Sequence, residues 1–510
     1  MSGKGTGMLY TAIGCISLVL FASTANADWL EASSDHFVIY GDQPEKQIRG
    51  FAERLERFHA AMSLVYSKPQ ARPSPSNRVT IFVVSNQSEV RKVAGTDNRY
   101  LAGFYDARAG ISVAVIPESA ARSGLSGETV LYHEYAHYFM SGLTARTYPR
   151  WFVEGFAEFF GGVRFASDGT VRLGTPPQHR YAELRYAEAV PIRRMLDVDG
   201  GAGDAGNQYD AFYGQSWLLF HYLQLEPDRA GQLAKFEQLL AAGTLPTEAA
   251  EAAFGNLDQL ERDMKSYQRR RLINTLVVDG TKLNSGPIAI RKLRPGEAAI
   301  MPTVIESRVG VSSEEALALL PEARRVAASY PDDPAVLAAL AEAEFDAGND
   351  DAAIAAADRA IAIDPNQINA QIQKGYALFR KVETGALPKE SWKDVRSQFV
   401  KANKVEKDNP IPLVQYYLTY PKQGVHPTDN ATTGLEWAMQ LAPFDDSIRW
   451  LAAQQMVTDG RLREAAHTLA PLAYSPHPGE QTEAARRLLK DVETRMAGAE
   501  QPSSEPTRGN

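Results

Sequence analysis

The stretch PAVLAALAEAEFDAGNDDAAIAAADRAIAIDP, residues 334–365, decides how the second half of this chain folds. Leu337, Leu340, Ala341, Ala353, Ala357 and Ala360 recur at helical spacing, and the alanines leave room for two helices to pack closely. Pro331, Pro365, Pro410 and Pro443 follow one another at spacings of 34, 45 and 33 residues, each expected to close a helix pair.

This pattern resembles the tetratricopeptide repeat (TPR). The 45-residue spacing is explained by an inserted loop around Val382–Glu390, before Trp392, Phe399 and Ala402 restore the register. Residues 444–475 read as one more pair. The resemblance implies an all-α helical-repeat, TPR-like domain over residues 313–496 that holds a protein partner. The alternative is a plain helical array without a peptide groove. Residues 497–510 are polar, with Pro and Ser, and read as a disordered tail.

Upstream the composition changes, with a linker expected at 281–312 and an aromatic-rich unit at 28–280. His36–Tyr40, Arg78–Val84 and Gly110–Ile116 read as strands. Ile48, Phe51, Leu55, Phe58 and Met62 mark a long amphipathic helix between the first two. Helices are expected over about 127–142, 151–160 and 208–225, and again to residue 275, with hairpin and loop over 163–205. Strands first and helices afterwards is an α+β layout.

Residues 1–27 read as an export signal. Lys4 is the lone charge before Asp28, an apolar run spans about Met8–Ala22, and Ala25-Asn26-Ala27 supplies a small-x-small cleavage site. The expected location is exported, periplasmic or extracellular, after cleavage near Ala27. Gly14-Cys15 raises lipidation as an alternative. Cleavage would remove Cys15, the single cysteine, which excludes a Cys-ligated metal site in the mature chain. Lys+Arg 54 against Asp+Glu 62 give a net charge of −8, and losing Lys4 makes the balance one unit more negative. No basic block exceeds Arg269-Arg270-Arg271, which argues against nucleic acid as a partner. No later segment reaches 18 apolar residues, so no transmembrane segment is expected in the mature chain.

His133-Glu134-Tyr135-Ala136-His137 is an HExxH pattern. Two histidines four apart share one helix face, so both imidazoles reach one ion, while Glu134 is turned aside toward a metal-bound water. A catalytic Zn2+ needs a third protein ligand and one open position. In Trp151-Phe-Val-Glu154-Gly155-Phe-Ala157, Glu154 follows His137 after 16 intervening residues, enough to turn and return antiparallel with Glu154 at the ion. Tyr148-Pro149-Arg150 suits a helix entry.

The set HExxH, then W-x-x-E-G-x-A, resembles the gluzincins, the zinc peptidases that include the aminopeptidase N-like enzymes. The resemblance implies a zincin-like catalytic α+β domain in which His133, His137 and Glu154 hold Zn2+ and Glu134 is the general base. Tyr213-Gly-Gln-Ser216 resembles the start of the family helix whose Tyr holds the oxyanion, which implies that role for Tyr213, with Tyr209 in reserve. The loop between His137 and Glu154 is shorter than in those aminopeptidases, and their G-x-M-x-N motif is missing. Gly110–Ile116 is either an edge strand that pairs with substrate or an interior core strand. Glu158, one turn beyond Glu154, either supports a zinc-bound His or faces solvent. His179 and His221 read as surface or packing residues.

The function expected from these residues is an exported zinc metallopeptidase, a hydrolase cleaving peptide or protein substrates, cell-wall peptides among the candidates. The alternative is a non-catalytic envelope scaffold that uses the TPR-like repeats to bind a partner.

Overall fold

A computed structural model describes residues 29–67, 72–118, 125–143, 148–197, 210–475 and 479–500. The expected export signal with Cys15, the reserve Tyr209 and the last ten residues lie outside them.

Five strands open the described chain: β1 (Leu30–Ser33), β2 (Phe37–Gly41), β3 (Val79–Val84), β4 (Phe104–Asp106) and β5 (Val113–Pro117). β6 (Arg164–Phe165), β7 (Val171–Leu173) and β8 (Leu276–Val278) form a small second sheet, and β9 (Ala289–Lys292) returns to the first. The main sheet runs β4-β5-β3-β2-β1-β9. The β2–β3 and β3–β5 pairs are parallel and the others antiparallel. β5 therefore sits inside the sheet, and β4 takes the edge next to it. The VTIFVV and VAVIP runs suit that place, because central parallel strands are buried on both faces and read as continuous apolar stretches.

The two faces serve different layers. Phe37, Ile39, Ile81, Val83 and Ala114 point into the largest core, shared with the helices Glu45–Val65, Gly127–Leu143, Arg150–Gly161 and Phe212–Leu225. Phe82, Val84, Val113 and Val115 point the other way and meet Leu293, Met301 and Ile305. Met301 and Ile305 belong to a helix, Pro295–Val309, that lies on that second face.

That helix corrects the expectation of a linker at 281–312. Residues 289–292 are β9, paired to β1, and the helix that follows opens the repeat array. The physical reason is its two apolar sides. Met301 and Ile305 enter the sheet core, while Ile300 joins Leu320, Ala323 and Val336 of the next helices. The array then proceeds as helix pairs: Pro295–Val309 with Ser313–Ser329, Pro334–Asp346 with Asp350–Ile363, Ile368–Glu383 with Trp392–Val405, Pro410–Gln423 with Asp429–Leu441, and Asp446–Thr458 with Leu462–Ala473. Ala341, Ala353, Ala357 and Ala360 are fully buried, which is why the second pair packs closely. Pro410 opens its helix instead of closing a pair, with Asn409 capping the Ile411 N–H. A final helix, Glu480–Glu500, runs into the segment expected to be a disordered tail.

In the first unit, Phe212–Leu225 is mainly apolar and buries most of its length, Phe212, Gly214 and Ser216–Leu223 among them. It fits against Arg150–Gly161 because Gly155 has no side chain. A Cβ there would lie 2.5 Å from the Ser216 carbonyl oxygen and 2.8 Å from the Phe220 Cβ. Gly155→Val should therefore cost about 1–3 kcal/mol through overpacking, read from urea unfolding. A loss below the measurement error would contradict this packing.

His59 gives a second prediction. Its Nδ1 is 2.8 Å from the Tyr135 hydroxyl, its ring stacks on His36 at 3.7 Å, and it is buried. Burial, then the neighbouring His36, push its pKa down from 6.5 to about 3. Below about pH 6.5 the unfolded chain takes a proton that the folded chain refuses until about pH 3, so stability falls across that window. His59→Gln should make this fall shallower by up to about 1.4 kcal/mol per pH unit, measured from urea midpoints between about pH 7 and pH 4. An unchanged slope would assign the pH dependence elsewhere.

Candidate metal centre

The Gly127–Leu143 helix carries His133, Glu134 and His137, and the Arg150–Gly161 helix packs against it. The approach is close at Gly161, where a Cβ would lie 3.2 Å from that of His133. Glu154 on the second helix is 1% exposed. Its Oε2 lies 3.6 Å from His133 Nε2 and 3.8 Å from His137 Nε2, and the two Nε2 atoms are 3.1 Å apart. Among the described residues this trio is the one cluster of His and carboxylate atoms with the spacing to hold a metal ion.

The triangle can be compared with coordination chemistry. A tetrahedral Zn2+ with bonds of about 2.0–2.2 Å sets neighbouring ligand atoms about 3.3–3.6 Å apart. Edges of 3.1, 3.6 and 3.8 Å straddle that range. Two imidazole nitrogens and one carboxylate oxygen are a donor set that Zn2+ accepts.

Behind the trio lies a ring of charge of which the sequence pointed only to Glu158, which faces His133 and not solvent. Glu158, 2% exposed, sets Oε1 at 3.5 Å from His133 Nδ1 and Oε2 at 3.2 Å from His179 Nε2. Arg180 donates through Nε to the same Oε1 at 2.8 Å. Burial raises the Glu158 pKa, but the hydrogen bond from His179 and the charges of His133, Arg180 and His179 outweigh it and bring the carboxyl to about 2. For His133, burial works against the charged ring, yet the Glu154 hydrogen bond and the Glu158 and Glu154 charges hold its pKa above the usual value. Arg180 also bonds Glu183 at 3.2 Å, and Glu183 accepts the Gly214 N–H at 2.6 Å, which ties this shell to the Phe212–Leu225 helix. His179 is thus a partner of Glu158 and not a free surface residue. It sits in a short turn, Gln178–Arg180, and no periodic pattern marks it.

Glu134 and Tyr213 line one cavity with the trio, about 390 Å3 in volume. The Tyr213 hydroxyl accepts from Arg150 at 3.1 Å, and the Arg180 guanidinium lies 4.6 Å from its ring centre. His221 is fully buried, with Nδ1 2.9 Å from the Tyr267 hydroxyl, and is a packing residue.

No protein family and no curated protein matches the chain. It is similar to solved helical-repeat structures. A thermophilic TPR protein from Thermus thermophilus is 21% identical, with 40% of this chain and 98% of that one covered and a TM-score of 0.30. A tetratricopeptide repeat protein from Parabacteroides merdae is 11% identical, with 54% and 93% covered and a TM-score of 0.29. Yeast Tom70 is 15% identical, with 58% and 62% covered and a TM-score of 0.27.

These findings correct the sequence-based expectation of a gluzincin, a zinc metallopeptidase acting as a hydrolase. The neighbours are TPR-repeat proteins, and a zincin-like catalytic domain is not shown. The expectation rested on three short stretches, 133–137, 151–157 and 213–216, and short motifs recur without the activity they suggest.

The charge ring yields a prediction about stability. Arg180→Leu leaves the Glu158 carboxylate buried with one cation fewer and should cost about 3–5 kcal/mol. Adding Glu158→Leu should recover part of that loss. Equal stability of Arg180→Leu and wild type in urea would show the ring to be decorative.

Proposed function

We propose that this protein is a helical-repeat scaffold for a protein partner, with a Zn2+-holding site in its N-terminal unit. The observation that carries the reading is the unbroken series of helix pairs from Pro295 to Ala473, closed by Glu480–Glu500. Stacked pairs offer extended surfaces to partner chains. The metal reading is supported by the fit of His133, His137 and Glu154 to the Zn2+ donor set and spacing. Glu134 and Tyr213 share the cavity and are proposed to hydrogen-bond a water in the fourth coordination position. Glu158 would orient His133 through Nδ1.

Export is part of the proposal. Lys4, the apolar run and Ala25-Asn26-Ala27 support it, and no described helix is long and apolar enough to cross a membrane.

The test uses the full mature chain. One Zn2+ per chain is expected, lost in His133→Ala. Glu158→Gln should weaken binding about 10–100-fold. A photo-crosslinker placed on the exposed side of the Asp350–Ile363 helix should capture one recurrent protein from the cells that make it. A mixed peptide library should be left intact. Peptide turnover that disappears with Glu134→Gln would overturn the scaffold reading.

A further inference from the structure

The first helices of the first three pairs face the sheet across a cavity of about 420 Å3, with Tyr40, Thr80 and Phe82 on one wall and Met301, Ala338 and Glu342 on the other. Two loops of the N-terminal unit shut its far end. Ser76 donates its N–H and hydroxyl to Glu406 at 2.8 and 2.6 Å. Asn77 donates to the Leu441 carbonyl at 2.7 Å and accepts from the Gly110 N–H at 2.9 Å. The Ala109 N–H donates to Asp445 at 2.9 Å. Ala109, 2% exposed, is buried among Val414, Tyr417, Leu435 and Ile448 of the repeats.

Gly110 fixes the identity of the inserted residue pair. Its φ is +73°, and a Cβ would lie 2.7 Å from Ile411 Cγ1. The repeats thus hold a small residue followed by glycine, supplied by the chain's own loop; Asp445 fastens the Ala109 N–H from the repeat side, and Asn77 of the neighbouring loop holds the Gly110 N–H. This is how a segment of another chain would be gripped, but here the grip is filled in cis.

The two attachments of the array are unequal. At the near end, Met301 and Ile305 anchor the Pro295–Val309 helix in the sheet core. At the far end the apolar contacts are Ala109 among the repeat side chains, Ile411 beside Gly110, and the half-buried Phe444 ring against Tyr138 at 4.7 Å. Contacts with little buried apolar area open first.

We propose that Pro75–Asn77 and Arg108–Ile111 form a releasable clasp, an autoinhibitory contact that shuts the first-helix face of the repeats. Its release admits a partner polypeptide bearing a small residue followed by glycine. The identity of the occupant rests on the partner-binding reading above; the opening does not.

Opening is read on the full chain with spin labels at Lys46→Cys and Asp429→Cys, both exposed. The parent should give one narrow distance. Ala109→Glu and the milder Gly110→Val should add a longer population. A labelled synthetic peptide of residues 104–114 should bind those variants at least about tenfold tighter than the parent. Unchanged distances in both variants sink the clasp and leave partner binding elsewhere on the repeats standing. Loss of helical circular dichroism in both would make Ala109 an obligatory core residue and overturn release. A longer population with equal or no peptide binding would overturn the proposed occupant.

Discussion

The N-terminal unit is organised around one costly demand, the burial of the Glu154 carboxylate. A carboxyl 1% exposed needs polar partners close by, and the two imidazoles of the Gly127–Leu143 helix supply them. That requirement sets how near the two helices lie. Gly161 permits the approach on one side, and Gly155 lets Phe212–Leu225 close the other. Glu158, His179, Arg180 and Glu183 extend the alternation of charge outward, so that each acid meets a base before it meets apolar core.

The sheet links this unit to the repeats through its two faces. One face supports the helices around the trio, and the other receives the helix that starts the array. The repeats are therefore continuous with the core layers and do not hang from a tether. They also reach the helix that carries His133 and His137, since Phe444 packs on Tyr138, one residue beyond His137.

Legibility followed periodicity. The strands around Ile81 and Val115 could be read as unbroken apolar runs, and the Glu45–Val65 helix because Ile48, Phe51, Leu55, Phe58 and Met62 recur at helical spacing. The alanine pattern of 334–365 gave the helix pairs for the same reason. The 281–312 segment misled because its helix is apolar on two sides, which blurs the single stripe of a surface helix. His179 and Arg180 lie in a short turn, where sequence carries no period, and their partner Glu158 is distant in the chain. The loops at Asn77 and Ala109 were equally silent, because hydrogen bonds to backbone leave almost no compositional trace. The functional inference overreached for another cause: the motif specified ligands, and an activity was added to them by resemblance.

The central claim is that two imidazoles and the Glu154 carboxylate share one divalent ion. X-ray absorption at the zinc edge of the loaded full chain tests it most directly. The account predicts a four-coordinate shell of nitrogen and oxygen at about 2.0–2.2 Å, with the outer-shell signature of two imidazoles. A six-coordinate oxygen shell without imidazole, or no ion retained after dialysis, would contradict it.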